Sequence, residues 1–169
     1  MRDPVLWLGA LLSALMAALQ SALFPHLALL SFSPFAALAC IRASLPAALW
    51  MAALAGLICD LLSADPFGIH AISMAATTAA SYRFRRIFQG EPLQLCCFTA
   101  LYSALFTPML VFVLFLFDRR APFGGQWSFL DFATMPIADA AYAFFWFVGP
   151  LLFFEWVKKQ YKQWQQRDG

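Results

Sequence analysis

An all-α, polytopic transmembrane bundle of about six helices is the fold class this sequence predicts, and two observations predict it. Of 169 residues, 63% are apolar, 17% aromatic and only 12% charged. A soluble domain is about 45–50% apolar and about 25% charged, and one of this length has no room to bury the surplus. The same apolar content excludes disorder, and four cysteines do not make a secreted disulfide scaffold. The second observation is the spacing of the charges. No Asp, Glu, Lys or Arg occurs in residues 4–41, 43–59, 66–82, 92–117 or 140–154. Lipid offers no hydrogen bonds to the backbone, so such stretches must close their own as helices.

A span needs roughly 20 residues, with about 17–25 usable. The first gap, residues 4–41, is 38 residues long and holds two spans once Phe24-Pro25-His26 breaks it, because proline cannot continue a helix. The predicted helices are 5–24, 27–42, 45–62, 67–83, 93–117 and 135–156, forming one membrane domain over 1–169. The second and fourth are short, and five spans result if one of them inserts only partway. The first apolar run is longer than the about 7–15 residues of a signal peptide core and reads as a retained span.

Orientation follows from Lys and Arg. With both termini cytoplasmic, the inner segments hold Arg2, Arg42, Arg83, Arg85, Arg86, Lys158, Lys159, Lys162 and Arg167, nine of the eleven cations. The outer segments hold Arg119 and Arg120. This bias suits a bacterial inner membrane. Arg83-Phe84-Arg85-Arg86 reads as an anchor for anionic lipid, and the net charge of +2 gives no case for nucleic acid.

Small residues recur every four positions in the first helix: Gly9, Ser13, Ala17 and Ser21, flanked by Ala10, Ala14, Ala18 and Ala22. Leu11, Leu15, Leu19 and Leu23 fill the other side. Such stripes let helices approach closely where lipid supplies no hydrophobic force. Shorter versions are Ala48, Ala52 and Gly56, then Ala71, Ala75 and Ala79. These faces meet inside the protein, or one of them docks another membrane protein. Cys40, Cys59, Cys96 and Cys97 read as small buried hydrophobes. Cys96 and Cys97 point about 100° apart on a helix, so they make poor co-ligands, and no metal site or cofactor is expected.

Ionisable groups within spans are costly and therefore of interest. They are Asp60 near the end of the third helix and Asp139 in the sixth, whereas Glu155 lies at the cytoplasmic boundary beside Lys158 and Lys159. Asp60 is expected about a turn from the outer interface, partly hydrated. Asp139 has no evident partner in the sequence. Between helices three and four, Asp65-Pro66 reads as a helix start, with Asp at the N-cap and Pro at the first position. Ser63 reads as a cap, Gly68 as a point of close backbone approach, and His70 as within reach of Asp60. The segment serves as a structural hairpin or as a partner site.

The run Gly56-Leu57-Ile58-Cys59-Asp60-Leu61-Leu62-Ser63-Ala64-Asp65-Pro66-Phe67-Gly68-Ile69-His70-Ala71 resembles the signature of the MreD family of bacterial rod shape-determining membrane proteins. Asp60, Ser63, Pro66 and Gly68 match its pattern. Ala64 stands where glycine is usual, and Phe67 where leucine is usual. The resemblance implies a non-enzymatic scaffold of the cell-elongation machinery with no catalytic residue. Its direct partner would be a bitopic MreC-like protein, linked indirectly to MreB filaments, the glycosyltransferase RodA and a penicillin-binding transpeptidase. On that reading the partner-binding residues are Gly9, Ser13, Ala17, Ser21, Asp60, Ser63, Pro66, Gly68 and His70. The alternative is a membrane subunit that binds a vitamin-like solute, since the family is thought to look like the substrate-binding subunits of energy-coupling-factor transporters. Such a protein needs a cavity with convergent polar groups; the loop 118–134, with Trp127 and phenylalanines, reads first as an aromatic belt in the interface and otherwise as its lid. A membrane enzyme ranks third, because His26 and His70 lack a convincing nucleophile.

Overall fold

The computed structural model describes residues 4–23, 30–63, 66–88, 92–118 and 129–149. They form six α-helices: α1 (Pro4–Leu23), α2 (Ser33–Arg42), α3 (Leu45–Leu62), α4 (Ile69–Ser81), α5 (Pro92–Asp118) and α6 (Phe129–Ala143). A tight 3₁₀ stretch, Tyr82–Phe88, continues α4, and a π stretch, Phe144–Val148, continues α6. No strand occurs among the described residues. α3 and α5 are long and apolar enough to cross a membrane.

The predicted bounds of α3 match the structure, and those of α5 differ by one residue at each end. Three others need correction. α2 does not run over 27–42 but begins at Ser33 and has only 10 residues, about 15 Å of helix. The predicted breaker at 24–26 lies outside the described residues. α4 begins at Ile69, two residues later than expected, because the chain first makes a left-handed turn at Gly68. α6 begins at Phe129, six residues before the expected start, so the helix takes up part of the supposed loop 118–134. Its predicted end at 156 lies outside the described residues.

The short α2 is the centre of the fold. Ser33 to Cys40 are all buried, and α2 packs on α1, α3, α5 and the 3₁₀ stretch. Phe32, Phe35, Ala36, Ala37 and Cys40 join Ala17, Ala52, Ala55, Met74, Phe98, Tyr102 and Phe106 in the main core cluster. A helix buried from Ser33 to Cys40, with its C-cap Ala43 buried as well, holds end groups away from water, where unpaired amides and carbonyls cost several kcal/mol in lipid-like surroundings. Other elements satisfy them. The Leu30 amide donates to Asp139 Oδ1 at 3.1 Å, and Ser33 N–H returns to the Leu30 carbonyl at 2.8 Å. At the far end, Tyr82 Oη and Arg85 donate to the Ala43 carbonyl at 3.3 and 3.2 Å. Arg85 also lies over the Tyr82 ring, 4.1 Å from its centre. A cation at a helix C-terminus complements the dipole. Arg83 and Arg86 stay exposed and Arg85 does not, so one of the three arginines expected at the lipid surface is spent on closing α2.

The small-residue stripes divide. On α1, Gly9, Ser13 and Ala17 face inward and are buried, while Leu11 and Leu15 are exposed. A Cβ on Gly9 would meet Leu38 Cδ2 at 3.1 Å and Phe147 at 3.5 Å. Ser21 carries no described side chain. On α3, Ala48, Ala52 and Gly56 are all buried. On α4 the stripe turns outward: Ala71 is buried, Ala75 half-buried and Ala79 exposed. The inward face of α4 is instead Ser73, Met74, Thr77, Thr78 and Ser81. The outer surface carries Trp7, Trp50, Leu61, Phe67, Ile137 and Phe145, each about 70% exposed, which suits hydrocarbon and not water.

Candidate functional site

The turn joining α3 to α4 is built around one carboxylate. Asp60 sits in the last turn of α3 with its side chain fully buried. Its Oδ1 accepts the His70 amide at 2.8 Å and lies 2.9 Å from His70 Nδ1. Its Oδ2 accepts the amides of Gly68 at 3.0 Å and Ala71 at 3.3 Å. These are orphan donors at the start of α4, and a carboxylate from a neighbouring helix fills the role an N-cap side chain would fill. Its charge also complements the helix dipole.

The other motif residues have separate tasks. Gly56 stands one turn before Asp60 on the same face. A Cβ there would lie 2.4 Å from Ala71 Cα and 2.6 Å from its nitrogen, so only glycine lets α4 come near enough for the carboxylate to reach its amides. Gly68 is the N-cap, with φ +98° and open space where a Cβ would be. It supplies a left-handed turn, which glycine adopts freely, and not the close approach expected of it. Asp65 lies outside the described residues and Pro66 precedes the cap, accepting the Ile69 amide at 3.4 Å. The expected Asp65-Pro66 helix start is therefore replaced by Gly68 with Asp60. Ser63 is the C-cap of α3, its amide on the Cys59 carbonyl at 2.9 Å. His70 is 13% exposed at its side chain, and its ring stacks near Phe106 at 6.3 Å. The expected hydration of Asp60 is absent, because the amides of α4 take the place of water.

The structure thus brings Asp60, Gly68 and His70 into one cluster. It holds Gly9, Ser13 and Ala17 elsewhere, inside the α1–α2 contact. The α1 face next to that stripe is different. Ala10, Ala14 and Leu11 form one wall of an open groove of about 630 Å³, with Met51, Leu54, Ala55 and Ile58 of α3 opposite. Phe32 and Phe35 form its floor, and Leu6 and Trp7 stand at one end. Apart from the Trp7 indole, the described lining residues carry no polar side chain. Sequence reasoning found the alanine row but not the groove, which depends on how α3 packs beside α1.

Sequence reasoning also missed how many hydroxyls the interior holds. Ser73, Thr77, Thr78, Ser81, Thr99, Tyr102 and Ser103 are all buried. Thr78 Oγ1 and Tyr102 Oη lie 3.1 Å apart, and Tyr102 donates to the Met74 carbonyl at 3.1 Å. Thr77 and Thr99 hydroxyls bond the carbonyls four residues earlier, the usual habit of such side chains in helices. All four cysteines are free. Cys96 is buried and its neighbour Cys97 exposed, as their divergent directions require. Among the described residues no group of three His, Cys, Asp or Glu side chains is placed to hold a metal.

No protein-family profile, curated protein or solved structure matches the chain.

Proposed function

We propose that this chain is a six-helix, non-enzymatic membrane scaffold of the bacterial cell-elongation machinery, of the MreD kind. It lies in the inner membrane with both termini cytoplasmic. Its direct partner is a bitopic MreC-like protein, through which it connects to MreB filaments, RodA and a penicillin-binding transpeptidase. The Gly56–Ala71 run supports the family reading, because each matching residue has a task in one compact hairpin.

The observation that carries the docking role is the groove between α1 and α3. It is open along one side, its described lining is almost entirely apolar, and its walls are partly alanine. Those are the properties a single transmembrane helix needs in order to pack closely in lipid. The occupant is the one span of the bitopic partner, lying against Ala10, Ala14 and Ala55. The Asp60 hairpin fixes α3 against α4 and so fixes one wall. A solute-binding subunit would need convergent polar groups in its cavity, and the described lining of the groove offers only the Trp7 indole.

Affinity capture from bacterial membranes tests this. Ala14→Leu should reduce recovery of the bitopic protein at least tenfold with no change in melting temperature. Equal recovery from the wild type and the variant would remove the groove from the interface.

A further inference from the structure

A second polar centre lies where α6 meets the start of α2, apart from the Asp60 hairpin. Asp139 is completely buried. Its Oδ1 takes the Leu30 amide at 3.1 Å, and its Oδ2 has no hydrogen-bond partner. The hydroxyls of Ser103 on α5 and Ser33 on α2 stand beside the carboxyl. Ser33 Oγ also lacks a hydrogen-bond partner, as does Ser13 Oγ on α1. One turn along α6, Tyr142 donates to the Ser31 carbonyl at 3.1 Å and faces both Ser13 and Asp139. The Ser31 hydroxyl bonds the Gln20 side chain on α1. Elements of α2, α5 and α6 therefore meet at one acid, and α1 joins through Tyr142 and Ser31. Among the described residues Tyr142 is the other titratable group facing it, and no Lys, Arg or His forms an ion pair with it.

A lone carboxylate in such a place is untenable as an anion. Stripping it of water costs far more than one amide and some hydroxyls return. A buried water would satisfy a lone pair but leave the charge. Among the described residues no positive charge stands at Oδ2. A divalent ion asks for more carboxylate than one acid supplies.

We propose that Asp139 Oδ2, with the hydroxyls of Ser33 and Ser103, holds a single monovalent cation, either a proton or a sodium ion. The shared chemistry is neutralisation of Oδ2 by one unit of charge beside oxygen donors. Loading keeps the acid neutral, and the Leu30 and Ser31 bonds then tie α6 to the entry of α2. Losing the cation leaves a buried anion that loosens this junction.

The test is infrared spectroscopy of the purified full chain in micelles, in choline and in sodium buffers, together with its melting temperature in each. A protonated carboxylic acid band absent from Asp139→Asn and indifferent to sodium assigns the proton. A band that disappears in sodium, with a rise in melting temperature that choline does not give and Asp139→Asn loses, assigns sodium. If Asp139→Asn does not fold, Ser33→Ala keeps the acid and removes a neighbour, and it should shift the band frequency or weaken the sodium response. Absence of both the band and the sodium response in the wild type overturns the proposal.

Discussion

Gly56 and Ala71 touch through their backbones: a Cβ on Gly56 would fall 2.4 Å from Ala71 Cα. That contact sets how near α3 and α4 stand, and it puts Asp60 within reach of three amides at the start of α4. Gly56→Ala therefore cannot benefit from the better helix propensity of alanine, worth about 1 kcal/mol. The obstacle is backbone, so the helices must separate, and overpacking of this kind costs about 1–3 kcal/mol. Thermal unfolding in detergent should show Gly56→Ala less stable than wild type.

Gly68 is sensitive for a different reason. Nothing lies within 4 Å of its would-be Cβ, yet its φ is +98°. Gly68→Ala should cost about 1–2 kcal/mol through the left-handed backbone alone, and Gly68→Asn should cost less, since asparagine tolerates that region better. Equal losses from the two variants would point to packing in place of backbone strain.

Asp60→Ala strands the amides of Gly68, His70 and Ala71. Each buried donor left unpaired costs about 1–3 kcal/mol, so the variant should be the least stable of the hairpin set. Asp60→Asn keeps one acceptor oxygen and should fall between it and wild type. A ranking by melting temperature checks this, and an unimpaired Asp60→Ala would contradict the clasp.

On α1 the two neighbouring rows should respond differently. Ser13→Leu and Ala17→Leu enter a packed interior and should lower the melting temperature of the isolated protein. Leu15→Ala changes an exposed side chain and should alter neither stability nor partner recovery.

Legibility in the sequence followed the range of the interaction. α3 was readable because residues 43–59 carry no charge and the helix is bounded by Ser44-Leu45-Pro46 and Ser63, all local signals. Asp60 with His70 was readable because ten residues separate them across one turn. α2 was misread because a charge gap shows where lipid is tolerated, not where a helix starts. Ser33-Pro34, a usual helix opening, was the overlooked signal. Asp139 had no legible partner because that partner is the backbone amide of Leu30, 109 residues away, and amides leave no mark in a sequence. The same holds for the groove, whose two walls come from helices not adjacent in the chain.

Topology offers an independent check. The proposed topology puts nine of eleven cations on one side of the membrane. A reporter fused after Gly169 should be active as a cytoplasmic fluorescent protein and inactive as alkaline phosphatase, and an active phosphatase there would reverse the orientation.

Site-specific photocrosslinking in living cells tests the docking claim most directly. A photoreactive amino acid at Ala14 or Leu54, on opposite walls of the groove, should capture one and the same single-span protein. One at Ile137, on the exposed side of α6, should not. Capture from the groove of a multi-span energy-coupling subunit, or of no membrane protein at all, would contradict a scaffold that seats a bitopic partner between α1 and α3.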